Sequence, residues 1–157
     1  MESSSPTASA ADPEQLARAY VAGQPHLRHL GAEVTSAAAG RCELRLPHRP
    51  ELTQHDGCFH EGVIATLAAS AGAAAAHTML PPSVLPHSTL PHGSAALTVE
   101  FKVNIMAPGG GESLVARGQV IRSGKSLTVC RVEVFAVRSG KETPCATCLM
   151  TLMAVAR

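Results

Sequence analysis

The sequence predicts an α+β fold in which an antiparallel sheet wraps around one long central helix, with a short helix ahead of it. Three observations carry this. Two alternating segments lie close together at 33–46, an Ala-rich apolar stretch with helical spacing fills 60–80, and four strand-like runs occupy the last third. Two strands, one buried helix and four more antiparallel strands leave the sheet one way to cover the helix, which is to curl around it.

Asp12-Pro13-Glu14 is a helix-start signal, a capping carboxylate followed by Pro at the first helical position, and Gly23-Gln24-Pro25 ends what it begins. Residues 1–11 hold Glu2 among Ser and Ala, with neither an Arg-rich face nor an apolar run, and read as a flexible tail and not a targeting segment. Residues 12–157 then form a single domain. In Arg41 to Leu46, Cys42, Leu44 and Leu46 alternate with charged residues, and Gly40 separates this segment from Glu33 to Ala37, which predicts a hairpin. Pro47 to Gly57 is polar and reads as loop.

From His60 to Leu80, Val63, Ile64, Leu67, Ala68, Ala71 and Ala75 recur at three- and four-residue spacings, and Ala or Gly fills most of the remainder. A helix apolar nearly all round is buried on most faces. Pro81 to Gly93 carries four prolines, which predicts a surface loop. Strands follow at Leu97–Met106, Leu114–Arg122, Leu127–Val137 and Cys145–Ala154, with Gly-containing breaks between them. In the first, Val99, Phe101, Val103 and Ile105 share one face and Thr98, Glu100, Lys102 and Asn104 the other, so one face is expected to be buried and one polar.

Composition narrows the function. The chain has 157 residues, long enough for a core without metals or disulfides, and only 3% of them are aromatic, so that core is built from Ala, Val, Leu and Ile. Thirteen Lys and Arg against 12 Asp and Glu are scattered and form no basic stripe, which argues against nucleic-acid binding. The apolar run at Val63–Ala76 is shorter than the roughly 20 residues a spanning helix needs, so no membrane anchor is expected. Five cysteines, an odd count, suit reduced thiols in a cytoplasmic setting. Cys145 and Cys148 lie in a strand-like run, where positions three apart point to opposite faces, and read as packing residues. None of the eight histidines has metal-site spacing, so no metal is expected.

The order of elements, with Gln54-x-x-Gly57-x-x-His60-x-Gly62-Val63-Ile64-Ala65-Thr66-Leu67-Ala68 and Thr98-Val99-Glu100-Phe101-Lys102-Val103-Asn104, resembles the PaaI-like branch of the hotdog-fold acyl-CoA thioesterases over about Gly31–Val155. The resemblance implies a homodimer or homotetramer whose sheets join edge to edge, with sites at the subunit interface. It also implies hydrolysis of acyl-CoA without a metal or separate cofactor, coenzyme A being part of the substrate. The Glu61 backbone N–H is then expected to polarise the thioester carbonyl, in keeping with the unpaired donors and positive dipole of a helix start. Gln54 matches the family's water- or substrate-positioning amide, Thr98 a hydroxyl contributed across the dimer, and His60 the motif His, structural or catalytic. For coenzyme A the family pattern points to Ala107 and Pro108 and to the hairpin from Arg122, Ser123, Gly124 and Lys125 to Leu127. Arg122 and Lys125 suit phosphate.

One departure is consequential. The family's essential Asp or Glu falls nine residues after the motif His, and here that position is Ala69. A methyl group cannot activate water. Glu61 stands where many members have Gly; within one chain it lies about 12 Å along the helix from Ala69, but across a two-fold interface Glu61 of one copy could reach Ala69 of the other. Three functions follow in order: an acyl-CoA thioesterase, a non-catalytic acyl-CoA- or lipid-binding protein (including an inactivated thioesterase), and a hydratase or dehydratase, which would need an acidic partner for His60.

Overall fold

The computed structural model describes residues 12–80 and 95–155; the tail at 1–11 and the loop expected over Pro81–Gly93 lie outside them. Helix α1 spans Pro13–Gly23, and Asp12 Oδ1 accepts the Glu14 N–H at 3.2 Å. A second helix, α2 at Pro25–Leu30, adds to the single N-terminal helix expected. Its signals are local: Pro25 opens it and Gly31, at φ +80°, closes it in the left-handed region. Strands β1 (Glu33–Ala38) and β2 (Arg41–Pro47) form the hairpin, and the long helix α3 covers Glu61–His77. Then come β3 (Ala95–Ile105), β4 (Ser113–Ser123), β5 (Leu127–Arg138) and β6 (Lys141–Val155).

The strands make one antiparallel sheet in the order β1-β2-β4-β5-β6-β3, with α3 packed on one face, the hotdog arrangement expected. Ile64, Leu67, Ala68, Ala71 and Ala75 of α3 are buried against Leu44, Leu114, Ala116, Val132 and Met150 of the sheet. Glycine makes this approach possible. A Cβ on Gly118 of β4 would run into the Ala71 carbonyl and stand 2.8 Å from the Gly72 N, so backbone sits directly on backbone there.

Two bulges change what alternation alone implies. In β3, Thr98 pairs with Leu152 and Glu100 with Thr151, leaving Val99 as the extra residue. Because Leu152 and Met150 are buried under α3, Thr98 and Phe101 both take the helix-facing side, and Thr98 does not share a face with Glu100. Nor is an apolar face of β3 buried within the chain. The strand is an edge, and Val99, Phe101 and Ile105 are about half exposed, at 56%, 47% and 46%.

The second bulge falls at Cys145, between the pairs Val134–Ala146 and Phe135–Pro144. It buries Cys145 and Cys148 together, where an unbroken strand would turn them apart. Burial pushes both thiols up to about 11, so they are protonated packing residues.

Candidate active site

The polar segment ahead of α3 is held on three sides. The His60 N–H donates to the Leu52 carbonyl (2.9 Å), the Phe59 N–H to the Gly109 carbonyl (2.9 Å), and Thr53 and Phe59 form a β-bridge. Between them lies a tight turn in which the Gln54 N–H donates to the Cys58 carbonyl (2.8 Å) and Gly57 takes φ +80°. Asp56 Oδ1 accepts the Cys58 N–H (2.9 Å), and that bond holds the Asp56 carboxyl below its ordinary range. Burial, then the Asp56 carboxylate, raises the Cys58 thiol, which leaves it a poor nucleophile. The half-buried Gln54 side chain makes no hydrogen bond to any described residue, so its amide is available at the rim of the turn.

At the start of α3, His60 is the N-cap: its Nδ1 accepts the Gly62 N–H at 3.0 Å. Nδ1 therefore carries no proton in this arrangement, and Nε2 lies 3.7 Å from Glu61 Oε1, both side chains more than half exposed. The His60 carbonyl accepts from Val63 (2.9 Å) and Ile64 (3.1 Å). The Glu61 N–H finds no acceptor among the described residues. It is the first-turn donor left over at the positive end of a 17-residue helix.

Along α3, one stripe is not covered by the sheet. Ala65, Thr66, Ala69 and Ser70 are half-buried there, whereas the neighbouring Ala68 and Ala71 are fully buried. Thr66 Oγ1 donates to the Gly62 carbonyl (2.9 Å) and Ser70 Oγ to the Thr66 carbonyl (2.7 Å), so the only hydroxyls beside Ala69 on the stripe point back along the helix.

The β3–β4 loop closes this end. The bulge carbonyl of Cys145 accepts the N–H groups of Met106 (2.8 Å) and Ala107 (3.2 Å), which aims the chain at α3. A Cβ on Gly109 would stand 2.9 Å from Ile64 Cδ1 and 3.4 Å from Phe59 Cβ. The Gly109-Gly110-Gly111 run was the available signal for this close approach, but sequence reasoning had no partner for it.

The residues singled out from the sequence thus fall into two groups. Gln54, His60, Glu61, Ala107 and Pro108 meet at the N-terminal end of α3. Thr98 and Arg122–Lys125 lie at the opposite end of the sheet, where the Ala154 N–H reaches the Ser126 carbonyl. From Thr98 to Ile105 is about 23 Å along β3, so one chain does not bring the two groups together.

A sequence model of the thioesterase superfamily matches residues 56–143. A Halobacterium salinarum protein whose name describes it as an esterase is 31% identical over 126 residues, 78% of each chain. A solved thioesterase-family protein of Silicibacter pomeroyi is 36% identical, with a TM-score of 0.83 over 92% of this chain and 99% of that one. The E. coli PaaI protein from the phenylacetic acid degradation operon shares the fold at 19% identity, with a TM-score of 0.73 over 92% and 94% of the two chains.

Proposed function

Because the chain belongs to the thioesterase superfamily, we propose that this thioester hydrolase acts on acyl- or aryl-acyl-CoA, at sites that each need two copies of the chain. The observation that carries the reading is that the Glu61 N–H, at the start of α3 beside the Gln54 turn, has no acceptor among the described residues. A thioester carbonyl seated there gains a hydrogen bond that strengthens as negative charge develops on its oxygen. Gln54 orients the attacking water. The thiolate of coenzyme A leaves when the tetrahedral intermediate collapses, and the acid is the second product.

The second copy enters through β3. An 11-residue edge strand with half-exposed Val99, Phe101 and Ile105 is a pairing surface that a stable protein has to cover. Antiparallel pairing of two such edges about a two-fold axis would bring the Thr98 end of one copy to the Glu61 end of the other. The same symmetry turns the uncovered stripe around Ala69 towards its mate. Glu61 of one copy then faces Ala69 of the other and supplies the carboxylate that position 69 lacks.

The competing reading is an acyl-CoA-binding protein without turnover, favoured by Ala69 itself. Thiol release from acyl-CoA separates the two. Release that vanishes in Gln54→Ala supports the hydrolase; binding of a non-hydrolysable acyl-CoA analogue with no thiol release from the acyl-CoA supports the binding protein.

A further inference from the structure

At the end of the sheet far from the start of α3, β4 outruns β2. The β2–β4 pairing stops at Arg41–Gln119, and the Gly40 carbonyl accepts the Val120 N–H at 2.8 Å. Ile121, Arg122 and Ser123 then continue with no strand among the described residues on that side, leaving a notch of about 380 Å³ between the β1–β2 turn, the end of α3 and β4. Its floor is fixed, since the Gly40 N–H donates to Thr78 Oγ1 (2.8 Å) and Thr78 Oγ1 donates to the Ala75 carbonyl (2.6 Å).

The lining is one-sided in charge. Arg41 and Arg122 both line it, and among the described residues neither is paired with a carboxylate and no acidic residue joins them in the lining. Gln119 and Ser123 add neutral polar groups, while Met79 and Ile121, 45% and 51% exposed, add apolar surface. Two guanidinium forks beside apolar side chains fit a ligand that joins phosphates to a flat ring.

We propose that the notch binds the phosphorylated purine-nucleoside end of the thioester substrate, with Arg41 a phosphate contact that selects coenzyme A esters over shorter thiol esters. The inference rests on the acyl-CoA reading above and deepens it. Arg41, at the start of β2, joins the hairpin residues already suited to phosphate.

Titration of the intact protein with adenosine 3′,5′-bisphosphate, which has no thioester, tests the notch without turnover. Binding that weakens about tenfold in Arg41→Ala, and less in Arg41→Lys, is expected for a charge-assisted contact. Alongside it, kcat/KM is measured for an acyl-CoA and for the same acyl group on N-acetylcysteamine, which lacks phosphates and base. The ratio of the two should fall about tenfold in Arg41→Ala, mainly through KM for the acyl-CoA. An unchanged ratio, or bisphosphate affinity indifferent to Arg41, overturns the proposal. Bisphosphate binding that depends on Arg41 in a protein that hydrolyses neither ester would uphold the notch and remove the hydrolytic reading instead.

Discussion

The Gly62 N–H donates to His60 Nδ1 across 3.0 Å, so the histidine of the loop motif closes the first turn of α3. Asn or Asp at the same position could accept that bond, and Ala could not. His60→Ala should cost about 1 kcal/mol, which lowers the Tm by about 2–4 °C in a chain of this size, and His60→Asn should recover most of it. Equal melting temperatures for the two variants would show that the cap contributes nothing.

In the proposed site, water at position 69 of one copy is activated by Glu61 of the other. If Glu61 of one copy serves the Ala69 position of the other, Glu61→Gln should lower kcat at least tenfold, as expected for loss of a general base. In Ala69→Asp, a second carboxylate enters the half-buried stripe and should restore turnover to the Glu61→Gln background. Turnover unaffected by Glu61→Gln would leave the carboxylate without a role.

The proposed pairing through the β3 edge is read most directly with Phe101→Lys. Phe101 pairs with Met150, faces the helix side and is about half exposed, so a charge there disfavours an apolar contact between copies while costing the isolated chain little. Light scattering should show a smaller species, and thioesterase activity should fall with it. A monomeric variant with full activity would contradict a shared site.

His77 sets a pH dependence of stability. It is 3% exposed, its ring lies 4.3 Å from that of Tyr20, its Nδ1 is 2.7 Å from the Ala73 carbonyl, and burial holds its pKa below the ordinary 6.5. As pH falls below about 6.5, the unfolded chain takes up a proton that the folded chain refuses, so stability declines with falling pH until the folded pKa is reached. Denaturant unfolding between pH 7.5 and 5.5 should show this slope, and His77→Gln should flatten it. An unchanged slope in the variant would assign the effect elsewhere.

Much of the fold was legible because its signals are local. Asp12-Pro13 marks α1, and three- and four-residue spacing from Val63 to Ala75 marks α3. Gly40 and Ser139-Gly140, all at positive φ, mark hairpins. The bulges at Val99 and Cys145 were not legible, since a bulge is a relation between two strands and leaves no period in either. That is why Thr98 was expected on the polar face, and Cys145 and Cys148 on opposite faces.

The candidate site divides the same way. Gln54, His60 and Glu61 sit within eight residues, and their motif can be read directly. Their neighbours Gly109, in the β3–β4 loop, and Cys145, at the bulge in β6, are distant in sequence and act through backbone carbonyls, which carry no side-chain signature.

In the proposed site the developing oxyanion is held by the Glu61 N–H, a group that can be removed almost alone. Glu61 is the first residue of α3, where Pro is well tolerated, and His60 already has the extended backbone (φ −61°, ψ 139°) that a following Pro requires. Glu61→Pro deletes the N–H, Glu61→Ala retains it, and both lack the carboxylate. Measured on an acyl-CoA, with circular dichroism confirming the fold, kcat for Glu61→Pro should lie about 10²–10³-fold below that for Glu61→Ala. Equal kcat values in the two folded variants would contradict that role for the Glu61 N–H.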